Sequence, residues 1–356
     1  MTSELELEQN PYQPGHEQIG SDEMRVIALG TGQPSVNRAQ ANIGWLVELG
    51  NGDKFMFDFG YCSQANFSAL ATPYTDIRAY FASHLHTDHV GDFGLIWVSG
   101  WNAGRSEPMR LYGPKGLKPE FGIKHFAERQ IESFAWDRDT RESVLPPNGA
   151  KVDVTEIDYS QVTTVYNENC VKISSFPALH GDGSVSYRLE WNDLVLIYSG
   201  DTAPNQFMID NAGGANILIH ETFNPPGQFS EAFSLPARAA EFITTFFHSI
   251  PDQAGYIAEQ CNPRLFVGFH CYNNDQTHAE IVAGVRKYYS GEFILASDLM
   301  VFNVTKTDLK ARMTLVDENA YPASNVERTS PPPGAKEKLT KMSPWLAQSR
   351  VLPPAS

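Results

Sequence analysis

The sequence is short of cysteine, of positive charge and of long apolar runs, and each shortage excludes something. Four cysteines (Cys62, Cys170, Cys261 and Cys271) are scattered through 356 residues without paired spacing. A disulfide framework is therefore not expected, and reduced thiols in a cytoplasm are. No apolar stretch approaches the ~18 residues that span a bilayer. The acidic start (Met1-Thr2-Ser3-Glu4-Leu5-Glu6) lacks the basic and apolar regions of a secretory leader, so no membrane partner is expected. Lysine and arginine number 27 against 42 acidic residues, a formal net charge of −15. An acidic surface repels a phosphate backbone, which makes nucleic acid a poor default partner; plain solubility explains the charge equally well. No G-x-G-x-x-G or Walker pattern occurs, so the Gly-rich turn Gly30-Thr31-Gly32 after the first apolar strand is weak as a phosphate cradle.

What is present is a 42% hydrophobic chain, enough for a sizeable core in one long domain. It is organised around Ser83-His84-Leu85-His86-Thr87-Asp88-His89-Val90-Gly91-Asp92. Three histidines and an aspartate fall within six positions, directly after an apolar run at 77–82 that reads as a buried strand. Along the extended strand end, His84 and His86 share one side by the period of two. Asp88 and His89 then follow from the turn. Imidazole and carboxylate together suit Zn²⁺, and also Mn²⁺ or Fe. A His-rich surface turn would explain the stretch alone, but further strands also end in a ligand type. They deliver His180, Asp201, His220-Glu221 and His270 at their tips, as an α/β layered metal enzyme requires.

His-x-His-x-Asp-His after a buried strand resembles the metal-binding signature of the metallo-β-lactamase superfamily, in its tRNase Z and arylsulfatase-like branch. Leu29-Gly30-Thr31-Gly32-Gln33-Pro34, Asp58-Phe59-Gly60 and Leu111-Tyr112-Gly113-Pro114 match further elements of that branch. The chain is also similar to metallo-hydrolases of biosynthetic clusters for guanidino natural products such as guanitoxin. The resemblance covers residues 24–304 and implies an α/β fold, the four-layer αββα sandwich, with the metal site at strand ends between two sheets. It leaves a loose arm at 1–23 and a Pro-rich tail at 305–356, either disordered or packing on a neighbouring subunit through Trp345 and Leu346. Carried over by position, it implies one metal on His84, His86 and His180. A second falls to Asp88, His89 and His270, with Asp201 bridging the two; two Zn are implied, with Mn or Fe as substitutes. Asp58 is implied to orient the metal-binding loop rather than bind metal.

The implied reaction is hydrolysis by a metal-bridging hydroxide, with Asp88 orienting the water. The bond is that of a small organic ester, phosphodiester or sulfate ester. Glu221 and His248 match a pair that assists leaving-group protonation, since a Glu beside a His fixes its tautomer and supports a general acid. The plainer reading makes His248 a helix-start residue, His220 structural, and His125 a surface or core residue. Trp97 and Trp101 read as core, with a place for one of them at a pocket mouth. The RNA-clamping arm of tRNase Z relatives has no room in the 21 residues from His180 to Asp201, which counts against tRNA 3′ processing. A Phe-rich insertion at 223–247 reads as a lid over a small-molecule substrate or as the contact of a homodimer. Competing activities of the same fold are a hydrolytic dehalogenase, a lactonase and a mononuclear iron dioxygenase.

Overall fold

Alternation along the strands sorts apolar side chains onto two faces, and the fold buries both. The structure, a computed structural model, describes residues 4–35, 37–142, 144–322, 324–327 and 342–353. One sheet holds β1 (Met24–Gly30), β2 (Gly44–Leu49), β3 (Lys54–Phe59), β4 (Ile77–Phe81), β5 (Met109–Pro114) and β6 (Val152–Ile157). The other holds β7 (Thr163–Glu168), β8 (Val171–Pro177), β9 (Val185–Trp191), β10 (Leu194–Tyr198), β11 (Ile217–Glu221), β12 (Leu265–Phe269) and β13 (Phe293–Leu295). The chain then returns to the first sheet as β14 (Met300–Val304) and β15 (Leu309–Met313). The strand orders are β15-β14-β1-β2-β3-β4-β5-β6 and β13-β12-β11-β10-β9-β8-β7.

Along β1, Val26 and Ala28 enter the core between the sheets, while Ile27 and Leu29 enter an outer core under helices. That outer layer is α1 (Ser63–Ala69), α2 (Thr87–Val90), α3 (Phe93–Asn102), α4 (Ile123–Ser133) and α5 (Ala135–Arg141). Along β10, Leu196 and Tyr198 face inward and Ile197 faces out. Its outer cover comes from α6 (Gln206–Asn211), α9 (Pro251–Cys261) and α10 (His278–Val285), with α7 (Pro226–Phe233) and α8 (Ala237–Phe246) between β11 and α9. A last helix, α11 (Pro344–Gln348), lies in the tail. The result is the αββα sandwich implied by the resemblance. Strands β10 to β13 pair in parallel and are covered on both faces, hence their near-continuous apolar runs.

Three features differ from the reading of the sequence. The single strand expected at 293–301 is two, one in each sheet, separated by Ser297-Asp298-Leu299 with Leu299 at φ 64°. The sheet continues past residue 304, because β15 pairs with β14 from Met300↔Met313 to Val304↔Leu309. Within the arm at 1–23, the backbone N–H groups of Leu5, Glu8 and Tyr12 donate to Phe293, Ala311 and Met313, so it ties the edges of the two sheets together. In the tail, Trp345 is 73% exposed and Leu346 is exposed; Pro331-Pro332-Pro333 lie outside the described residues.

The inter-sheet core is aromatic at its centre. Phe81 stacks on Phe57 at 5.1 Å and Tyr112 at 4.8 Å, and meets Tyr187 of the other sheet at 5.5 Å. Phe81→Ala should cost ~3–5 kcal/mol through lost burial and the cavity left behind. A guanidinium midpoint should drop accordingly, whereas Trp136→Ala, 78% exposed, should move it by no more than about 0.5 kcal/mol equivalent. Equal small shifts in both would contradict the shared core.

Candidate metal centre

All the candidate side chains except His248 come from the carboxyl ends of strands or the turns that directly follow them, on one rim of the sandwich. His84 and His86 follow β4, but the strand ends at Phe81. His86 instead precedes α2, a single turn that carries Asp88 and His89. His180 follows β8, Asp201 follows β10, Glu221 closes β11 and His270 follows β12. His248 lies between α8 and α9.

The histidine loop is clamped from beneath by Asp58, which ends β3 in a left-handed conformation at φ 53°. Its fully buried carboxylate accepts hydrogen bonds from Ser83 N at 2.7 Å, Ser83 Oγ at 2.7 Å and Tyr198 OH at 2.5 Å. It also meets His89 Nδ1 at 2.7 Å, which commits that nitrogen as donor and turns Nε2 into the site. Gly60 is needed next to it, since a Cβ there would come within 1.9 Å of the Asp88 carbonyl oxygen. That carbonyl is held by Ile43 N at 3.0 Å. The Asp-x-Gly element is thus a carboxylate for orientation and a glycine for close approach.

Two donor sets result. In the first, His84 Nε2 and His180 Nε2 lie 3.0 and 3.2 Å from His86 Nδ1, and 3.7 and 3.8 Å from Asp201 Oδ2. In the second, Asp88 Oδ2 lies 3.2 Å from His270 Nε2 and 3.7 Å from His89 Nε2. Asp201 Oδ1 is 3.1 Å from His89 Nε2 and 3.3 Å from His270 Nδ1. The two oxygens of one carboxylate therefore face opposite sets. His89 Nε2 and Asp201 Oδ1 are buried and neither makes a hydrogen bond of acceptable geometry, a costly arrangement unless another group satisfies them. Imidazole and carboxylate donors without thiolate suit Zn, Mn or Fe, so these residues fit metal ions.

The electrostatics divide in the same way. Burial, reinforced by neighbouring imidazoles, pulls His84, His86 and His180 below the ordinary histidine value, which leaves them neutral as ligation requires. At His89 burial acts downward too, but Asp201, Asp88 and Asp58 outweigh it and hold the ring well above the usual range. His270 is raised to about 10, Asp201, Asp88 and Glu221 outweighing burial. Asp201 is held well below the usual carboxylate range despite burial, by His270, His89 and His84.

Beside the two sets stands the pair singled out in the sequence. Glu221 Oε2 meets His248 Nδ1 at 2.9 Å, and Glu221 Oε1 accepts from Thr202 N. The His248 ring stacks on Phe223 at 4.0 Å and 14°. Glu221 and His248 also form a possible donor group with Asp201 and His270. His248 precedes α9 without capping it, because the helix begins at Pro251 behind Ile250. His220 is buried with Nδ1 on the Glu221 carbonyl at 2.7 Å, away from the donor sets. Trp97 and Trp101 are fully buried and donate to the Ala150 and Pro146 carbonyls, so both are core. His125 is half-buried and in neither donor set, and it lines the same cleft of about 870 Å³ as His84, His86, His180 and His248. The 223–247 insertion forms α7 and α8, and Ile243 and Phe247 contribute to that cleft.

Several supporting residues carry no signal in the sequence. Ser83 and Tyr198 are known as partners of Asp58 only from the fold. Asp298 accepts from Thr31 N, Thr31 Oγ1, Ala41 N and Asn66 Nδ2 at 2.7–3.1 Å, with burial raising its carboxyl to about 6. Thr31 in turn accepts from His270 N at 2.9 Å, supporting the left-handed turn of His270 at φ 65°.

Solved structures share this fold. YhfI from Bacillus subtilis, a metallo-β-lactamase fold protein, has a TM-score of 0.60 at 16% identity, covering 80% of this chain and 100% of that one. The short form of human tRNase Z has a TM-score of 0.58 at 18% identity, covering 78% and 98%. Among curated sequences, ribonuclease Z of Mycolicibacterium gilvum is 26% identical over 257 residues, 69% of this chain and 84% of that protein. Ribonuclease Z of Methanothermobacter thermautotrophicus is 24% identical over 352 residues, 85% and 99%. The chain is a metallo-β-lactamase superfamily hydrolase of the tRNase Z-like branch. More narrowly, it belongs to the family described as anti-Pycsar protein Apyc1, whose profile matches residues 24–229.

Cation uptake by the second set must displace the protons that its carboxylates hold on His89 and His270. Zinc titration at pH 7 should therefore release on the order of one to two protons per chain, and affinity should rise with pH. Calorimetry in two buffers of different ionisation enthalpy measures this. Heat that is independent of the buffer would contradict it.

Proposed function

We propose that this protein is a dinuclear metal-dependent phosphodiesterase acting on small substrates. The observation that carries the reading is Asp201, one carboxylate shared by two donor sets, with a Glu-His pair beside it. Names of similar proteins support the choice of phosphorus chemistry: ribonuclease Z and a diphosphatase from the PhnP family, with a TM-score of 0.50 at 15% identity. His84, His86, His180 and Asp201 would hold one ion, and Asp88, His89, His270 and Asp201 the other. Zn is the first choice, and Zn-bound PqqB from Methylobacterium extorquens, with a TM-score of 0.50 at 13% identity, has this fold. Bound there, divalent cations supply an activated water near neutral pH and polarise the P–O bond.

The chain's own residues do the rest. Asp88 uses Oδ2 toward His270 and keeps Oδ1 to orient the attacking water. Glu221 holds His248 by Nδ1, leaving Nε2 to deliver a proton to the leaving oxygen. Phe223 fixes the plane of the ring. The α8 segment closes one side of the cleft and excludes water. A cleft of about 870 Å³ suits a small ligand, and the tight β9–β10 hairpin stands where a clamping arm would begin. RNA stays as the second reading, because the ribonuclease Z relatives weigh against excluding nucleic acid from net charge alone. Sulfate and carboxylic esters, lactones and aryl halides complete the set of competitors, and a single iron would favour the dioxygenase. Four unpaired thiols support a cytoplasmic setting. Phe242 and Phe246, exposed on α8, suit a homodimer contact.

The test compares leaving groups. The zinc-loaded protein should hydrolyse bis-p-nitrophenyl phosphate and, from a panel of linear and cyclic nucleotide phosphodiesters and a precursor tRNA, the small members. His248→Asn should slow nucleotide esters by roughly 10²–10⁴ while slowing the p-nitrophenyl ester far less, because nitrophenolate needs no proton to leave. Asp88→Ala should abolish both activities. Equal losses on both substrates in His248→Asn would contradict the proton-delivery role, and preference for the precursor tRNA would establish the second reading.

A further inference from the structure

One wall of the cleft is built by α4, through His125, Phe126, Arg129 and Gln130. On this helix His125 and Arg129 are four residues apart and so share a face, and both line the cleft. Arg129 is the one lysine or arginine among its lining residues, whose other charged members away from the donor sets are Glu120 and Asp182. In a chain of net charge −15, a single guanidinium on the wall of the candidate active site is placed against the prevailing charge. Its present partner is Glu132 on the same helix, at 2.5 Å with both side chains more than half exposed, a pair of little worth that a better acceptor can replace. The guanidinium fork fits phosphate or carboxylate oxygens with two parallel hydrogen bonds.

We propose that Arg129, with His125 beside it, is an anion subsite that grips a second negatively charged group of the substrate, remote from the bond that is cut. The inference rests on the phosphodiesterase reading and deepens it. The preferred substrate is a phosphodiester that carries a further phosphate or carboxylate on the side that reaches α4. Phe126 and Phe247, in the same cleft, supply apolar surface between the two anionic points.

The experiment uses the zinc-loaded full chain and two esters that differ by one group: the p-nitrophenyl ester of thymidine 5′-phosphate, with and without a 3′-phosphate. The native protein should show a KM for the 3′-phosphorylated ester lower by about fivefold to tenfold. Arg129→Gln should erase that difference, Arg129→Lys should keep part of it, and Lys124→Gln, on α4 but outside the cleft lining, should leave it intact. A KM ratio unchanged by Arg129→Gln overturns the subsite. If neither ester is cleaved, the phosphodiesterase reading falls, and binding then decides the subsite separately. Thymidine 3′,5′-bisphosphate should bind the native protein about fivefold to tenfold more tightly than it binds Arg129→Gln, and equal affinities overturn the proposal.

Discussion

The rim of this molecule depends on one buried carboxylate. Asp58 collects the Ser83 backbone and hydroxyl, the His89 ring and the Tyr198 hydroxyl, and so joins β3, the loop after β4, α2 and β10. A charge fully withdrawn from water is tolerable only when several donors surround it, and here each donor is also a piece of the site. The left-handed backbone at Asp58 and the missing side chain at Gly60 are local costs that allow α2 to sit directly on the strand end. The direction of His89 Nε2 is thus decided by a carboxylate outside both donor sets.

From that clamp the division of labour follows. The sandwich supplies rigid strand ends, and the two sheets meet so that Asp201, just after β10, stands between residues delivered by β4 and α2, β8 and β12. Opposed charge then does what packing cannot. Three imidazoles are kept neutral by burial and one another, while two are kept protonated by carboxylates until a cation replaces the proton. Glu221 belongs to the same economy of shared groups, since one carboxylate contacts Thr202, His248 and His270. Loops and short helices around this rim, α4 on one side and α8 on the other, shape what can enter. On this fold substrate choice resides in those walls.

Much of this was legible in the sequence, for physical reasons. Histidines and acids at the tips of apolar runs stand out, and the resemblance assigned His84, His86, Asp88, His89, His180, Asp201 and His270 to the site by position; the structure brings those seven side chains together. The pair Glu221 and His248 was also named, although 27 residues separate them. What escaped was whatever depends on tertiary placement. The chain changes sheet at Ser297–Leu299, where only two polar residues, Ser297 and Asp298, interrupt an apolar run, so 293–301 read as one strand. The β7 and β15 strands each bury a single residue, Tyr166 and Ala311, among half-buried and exposed ones, and carry too little apolar content to announce themselves. His125 and Arg129 sit in a polar, ordinary-looking helix; only the fold turns that face toward the site. Asp298 and Tyr198 do their work through partners more than 130 residues distant in sequence.

The central claim is that one carboxylate, Asp201, stands between two metal positions. Anomalous diffraction at the zinc edge from zinc-loaded crystals tests it most directly. The account predicts two peaks flanking Asp201, one among His84, His86 and His180 and the other among Asp88, His89 and His270. A single peak, or an ion seated between Glu221 and His248, would contradict it.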